Sequence, residues 1–261
     1  SLNAREVSCG LGGHQGARAL GLFDIFKGGG DGGLKKHAAR AANKRAQGAD
    51  RWQSLEALSA MKTPEAVEAR RQRFTDRVEP SSTDQEEKDL AMAGVGDAGD
   101  GAELPLRRFL AEGDSVAWPV KMLEAIAGTD TVVEALIALL GGMDTEYERD
   151  PQKKIDALGQ LEDRRDPRIV PAVLPFIADM NESARFHAVA AALAQEPDED
   201  TETLRGALLT QIADEDSTRV LAKILDGFIA RGWSLGDDAA ELRSQLPEGY
   251  VLDGTQVRRR G

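Results

Sequence analysis

A small residue followed by an apolar one recurs along this chain at an almost fixed interval. Ala57-Leu58, Ala91-Met92, Ala125-Ile126, Ala157-Leu158 and Ala192-Leu193 stand 34, 34, 32 and 35 residues apart. A sixth copy at Asp226-Gly227, followed by Phe228, keeps a spacing of 34 with degraded residues. A period of this length means stacked supersecondary units, none of which buries its own apolar face alone. Hydrophobic residues make up 41% of the chain but aromatic ones only 5%. Small side chains at regular spacing suit helices packed closely side by side.

Capping signals divide the chain from Leu34 onward into helices joined by short acidic loops. Asp50 precedes a helix over 51–61, and Thr63-Pro64 sets a capping hydroxyl before a first-turn proline for 64–77. Thr83 and Glu86 have the spacing of a capping box for 84–95. Ser115 and Asp130 open 116–127 and 131–141, while Asp150-Pro151 and Asp166-Pro167 open 151–162 and 167–179. Asn181, then Asp200 or Thr201, then Asp216 or Ser217 open 182–195, 202–213 and 218–230. Asp237 starts a shorter helix to about Gln245. Beyond it, apolar and β-branched residues flank Asp253-Gly254, the pattern of a β-hairpin. A hairpin is unstable by itself, so it is expected to lie on the last helices as a cap.

Residues 1–34 are dense in glycine and read as a disordered leader. Within it, Leu22, Phe23, Ile25 and Phe26 form a short apolar hook that resembles the opening of many bacterial proteins, which would make residues 1–20 an upstream extension. Such a hook suits weak docking in a groove or at a membrane surface. No run approaches the length of a membrane span, and no secretory signal is recognisable. The single cysteine, Cys9, rules out an intramolecular disulfide framework and fits the cytoplasm. Charge is uneven. Residues 1–78 hold 14 Lys and Arg against 8 Asp and Glu, a balance of +6, whereas residues 79–261 hold 19 against 37, a balance of −18.

The central copy carries a more detailed pattern. It runs Ala157-Leu158-Gly159-Gln160-Leu161, then Asp166-Pro167-Arg168-Ile169-Val170-Pro171-Ala172-Val173, then Asp179 and Arg185. This resembles HEAT repeats of the short bacterial kind related to the phycobilin-lyase HEAT-like family, over about residues 35–245. The resemblance implies an all-α, right-handed α-solenoid of about six HEAT-like helical hairpins. The parts are then a leader over 1–34, the repeats over 35–245 and a hairpin or tail over 246–261. Arg219 follows Asp214 by five residues rather than six, and Trp118 and Asp150 stand in the column of Arg185, so the family's Asp–Arg ladder is incomplete.

The same resemblance puts the doublet helices on the concave side. Lys88, Lys121, Lys153, Lys154 and Lys223 stand three or four residues before a doublet and would form a broken lysine line there. Glu124 and Asp156 follow Lys121 and Lys153 by three, the spacing of same-face pairs, so a salt-bridge lattice competes with a partner-binding groove. Trp118 begins a doublet helix and is the aromatic candidate for a binding anchor, with inter-repeat packing as the alternative. The alternating carboxylates Asp144, Glu146, Glu148 and Asp150 lack the glycine and glutamate that a calcium loop requires. His14, His37 and His187 share no metal-ligand spacing. No nucleophile elbow, phosphate loop or dinucleotide fingerprint is present.

These features favour a non-catalytic adaptor or scaffold that binds a protein partner, with no catalytic, cofactor or metal residues assigned. Nucleic acid is disfavoured, because its binding grooves are basic and residues 79–261 are strongly acidic. The alternative is an enzyme on the same fold, similar to a bilin lyase or a DNA glycosylase.

Overall fold

The structure, a computed structural model, describes residues 31–197 and 200–260. It contains twelve α-helices and one two-stranded antiparallel sheet among those residues. The helices are α1 (Asp31–Ala41), α2 (Gly48–Met61), α3 (Pro64–Thr75), α4 (Ser81–Gly96), α5 (Glu103–Glu112) and α6 (Ala117–Leu140). They continue as α7 (Gln152–Leu161), α8 (Ile169–Val173), α9 (Glu182–Leu193), α10 (Thr201–Asp214), α11 (Thr218–Arg231) and α12 (Ala239–Leu242). Strands β1 (Tyr250–Asp253) and β2 (Gln256–Arg259) close the chain, with Leu252 opposite Val257. No helix among the described residues is long and apolar enough to cross a membrane. The apolar hook at Leu22, Phe23, Ile25 and Phe26 lies outside the described residues, as does Cys9.

Caps explain several boundaries. Thr63, Asn181 and Ser217 accept hydrogen bonds from the amides of Ala66, Ala184 and Val220, each filling an otherwise unbonded first-turn donor. Elsewhere the boundaries differ from those the sequence suggests. Helix α1 begins at Asp31, inside the stretch read as leader. Thr83 lies within the first turn of α4, which opens after Pro80 rather than at a capping box. The two helices expected after Ser115 and Asp130 are both present, as the two halves of α6, and Gly128 with φ 79° and ψ 178° separates them. Glycine reaches that conformation without the steric cost of a Cβ. Asp130 does not cap the second half; its carboxylate pairs with Arg168. The helix expected over 167–179 splits into α8 and a 3-10 segment, Leu174–Ala178. Pro175 lacks an amide hydrogen and its ring would crowd the carbonyl four residues back, so the α-helix stops there. Helix α5 has no counterpart in the sequence reading; Pro105 near its start obscures it.

The doublet helices touch one another in chain order: α2 packs on α4, α4 on α6, α6 on α7, α7 on α9 and α9 on α11. A second series of contacts joins α1 to α3, α3 to α5 and α6 to α8. The doublets supply the core between them. Ala91, Ala157, Ala192, Leu58, Leu158 and Phe228 are fully buried. At the sixth copy the small residue is Gly227, where a Cβ would sit 2.4 Å from Leu193 Cδ1. Ala125 alone among the doublet alanines is exposed.

Charge is also built into the interior. Glu87 on α4 is buried and accepts hydrogen bonds from Arg51 on α2 and Arg73 on α3, at 2.9 and 2.8 Å. Arg73 reaches Asp84 at 2.6 Å as well, so three helices share one buried ionic cluster. At the other end the hairpin lies on α11. The Tyr250 hydroxyl donates to Asp226 at 2.9 Å, Arg259 pairs with Asp226 at 2.6 Å, and the Leu235 amide donates to Thr255 O at 2.8 Å. Burial, and then the hydrogen bond to Asp226, push the Tyr250 phenol up to about 12.

Candidate functional site

An open groove of about 640 Å³ lies where α6 meets α7. Helix α6 contributes Lys121, Glu124 and Ala125, and Thr129 stands just past its break. The end of α7 and the turn after it contribute Gln160, Asp163, Arg164 and Arg165. The exposed doublet residue Ala125 is therefore a groove residue, where Ala91, Ala157 and Ala192 are buried and Ala57 is half-buried. The break at Gly128 puts Thr129 within reach of Glu124, and the Thr129 hydroxyl donates to Glu124 Oε1. Arg164 Nη2 donates to the other oxygen of the same carboxylate at 3.0 Å. The threonine hydrogen bond is the larger influence, with Arg164 adding to it against the cost of burial. Together they hold the Glu124 carboxyl below its ordinary range. Arg164 Nε is buried and has no hydrogen-bond partner among the described residues.

Next to the groove, two ammonium groups approach the Trp118 ring. Lys88 Nζ and Lys121 Nζ lie 5.9 and 5.5 Å from its ring centroid, within cation–π range. The ring also packs on Phe74, with centroids 5.2 Å apart, so Trp118 is a half-buried packing residue with one cationic side. Lys88 is shared with Asp84 at 2.8 Å. Burial opposes the charge on Asp84, but hydrogen bonds from Lys88, Arg73 and the Val78 amide outweigh it. That carboxyl sits well below the usual carboxylate range.

Two lysines of the expected line turn elsewhere. Lys154 is buried, 2.8 Å from Asp179 Oδ2, and donates to Asp144 O at 3.0 Å. Its neighbour Lys153 donates to Ala111 O at 2.7 Å, and burial lowers its pKa. The supposed same-face partners go to others as well: Glu124 pairs with Arg164, and Asp156 accepts from Gln152 at 2.7 Å. Lys223 belongs to a second station, 6.0 Å from the Phe186 ring, with the Arg219 guanidinium at 3.8 Å from the same ring. The structure thus brings Lys88, Lys121 and Trp118 together, places Lys223 three doublet helices along from α6, and takes Lys153 and Lys154 out of the row. Arg164, Arg165 and Glu124 complete the groove. The first two lie in an Asp-Arg-Arg-Asp turn that reads as an ordinary solvated loop, so only their contact with α6 reveals them.

Among the described residues no group of His, Cys, Asp and Glu side chains has the arrangement of a metal site. His187 pairs with Glu162 through Nδ1. The chain matches no family model, no curated protein and no solved structure.

Proposed function

We propose that this chain is a non-catalytic protein-interaction adaptor whose partner seats in the groove between α6 and α7. The observation that carries this reading is the exposure of Ala125. Ala91, Ala157 and Ala192 are fully buried in the same column, and here the alanine is left open on a groove walled by charged side chains of both signs. The reading takes the fold to be a right-handed solenoid of about six HEAT-like hairpins. Its support is the helix-by-helix contact of the doublets, with a hairpin covering the last of them in the manner of a capping unit. A protein partner suits the groove better than nucleic acid, because the surrounding chain is acidic and phosphate contacts need net positive surface. A cytoplasmic site of action accords with the single cysteine.

Ala125→Trp tests the reading, since it fills the groove from a position that is already exposed. Tagged wild-type and variant proteins are purified from the cells that make the chain, and the co-purifying proteins are compared. A partner retained by the wild type and lost from the variant is the expected result. The same proteins with both, or none with either, would refute the groove as the partner site.

A further inference from the structure

We infer that the segment this groove accepts is acidic, and that Glu124 holds in the free protein the place that one of its carboxylates takes in the complex. The inference rests on the groove being the partner site. Residues 79–261 carry a balance of −18, yet Lys121, Arg164 and Arg165 meet in one groove with only Glu124 and Asp163 against them. The donors around Glu124 are those a ligand carboxylate would use. Thr129 gives its hydroxyl, and Arg164 gives Nη2 at 3.0 Å. Thr129 also opens the second half of α6 after the Gly128 break, and first-turn amides of a helix lack intrahelical partners and favour negative charge.

Arg164 Nη1 donates to the Gln160 carbonyl, so the edge of the guanidinium that remains for a carboxylate is Nε with Nη2. Glu124 engages Nη2 and leaves the buried Nε without a partner. A guanidinium is strongest when a carboxylate spans two of its N–H groups, so a better-placed carboxylate than Glu124 gains from displacing it. Once Glu124 swings out, three cations face the lone carboxylate of Asp163. Glu124 therefore acts as a built-in competitor, keeping Arg164 ordered and keeping weakly acidic segments out.

The experiment measures binding of a fluorescein-labelled peptide of alternating Glu and Gly, and of a matched Lys and Gly peptide, by fluorescence anisotropy at low salt. Wild type, Glu124→Gln and the double variant Lys121→Glu with Arg165→Glu are compared, each checked for an unchanged thermal midpoint. The acidic peptide should bind the wild type in preference to the basic one. Glu124→Gln, which keeps the side-chain shape and removes the competing charge, should tighten binding by about two- to fivefold. The double charge reversal should weaken it by about tenfold or more. Preference for the basic peptide, weaker binding by Glu124→Gln, or no binding of the acidic peptide would each overturn the inference. If any of these occurs while Ala125→Trp still removes a native partner, the groove stands as the partner site and only its charge preference is refuted.

Discussion

Gly227 and Leu193 are in such close approach that a methyl group on the glycine would stand 2.4 Å from Leu193 Cδ1 and 3.1 Å from its Cγ. At the sixth doublet the glycine leaves room for the Leu193 side chain where α9 and α11 meet. Gly227→Ala should destabilise the fold. Overpacking of about 1–3 kcal/mol exceeds the helix-propensity gain of about 1 kcal/mol. In a Leu193→Ala background the clash is gone, and the same substitution should stabilise. Urea unfolding of the four proteins reads this reversal of sign, and the same sign in both backgrounds would contradict it.

Ala157 and Ala125 occupy the same column of the repeat and should respond differently to one change. Ala157→Leu forces extra volume into a fully buried contact and should cost about 1–3 kcal/mol. Ala125→Leu adds the same atoms to an open groove and should stay within about 0.5 kcal/mol. Chemical denaturation midpoints of the two variants separate the cases, and equal costs would place Ala125 in the core.

The buried pair of Lys154 and Asp179 supports a third expectation. Lys154→Met leaves the Asp179 charge without its counterion inside the protein, which should cost about 3–5 kcal/mol. Adding Asp179→Leu removes that charge and should recover most of the loss, because paired burial costs more in desolvation than apolar packing does. A double variant no more stable than Lys154→Met would show that the ammonium acts through Asp144 O instead.

Asp84 sets an acid limit. Its carboxyl is held lower in the folded chain than its unfolded value of about 3.9. The stability it contributes is therefore complete above that value and fades as pH falls toward the folded one. Asp84→Asn should melt below the wild type at neutral pH, with the gap narrowing below about pH 4. Thermal midpoints recorded from neutral to strongly acid solution test this, and a gap that widens toward acid would contradict it.

The doublets were legible because burial at a helix contact selects a small residue and an apolar one side by side, and both leave their mark in sequence. The caps at Thr63, Asn181 and Ser217 were legible because the capping side chain and the helix it opens are neighbours in the chain. Lys154 was not. A lysine one turn before a doublet belongs on a solvated face unless a carboxylate 25 residues away comes to meet it, and only the packing of α7 against α9 brings Asp179 there. The groove was half legible: Lys121 lies in the expected row, but Arg164 and Arg165 follow α7 in a turn whose distance from α6 has no sequence signature. Gly128 was legible, since a glycine between two capping signals reads as a break between two helices, and its non-helical backbone makes that break.

The ammonium of Lys154 also changes what the acidic stretch from Asp144 to Asp150 is. Loops of alternating carboxylates elsewhere borrow an ion from solution to gather their oxygens. Here the chain's own side chain does the gathering, reaching Asp144 O at 3.0 Å and lying 3.7 Å from Glu148 Oε2. A tethered cation is not chelated, exchanged or diluted away. The joint between α6 and α7 is thus tied by the chain's own ammonium, and chelating divalent ions should leave it as it is.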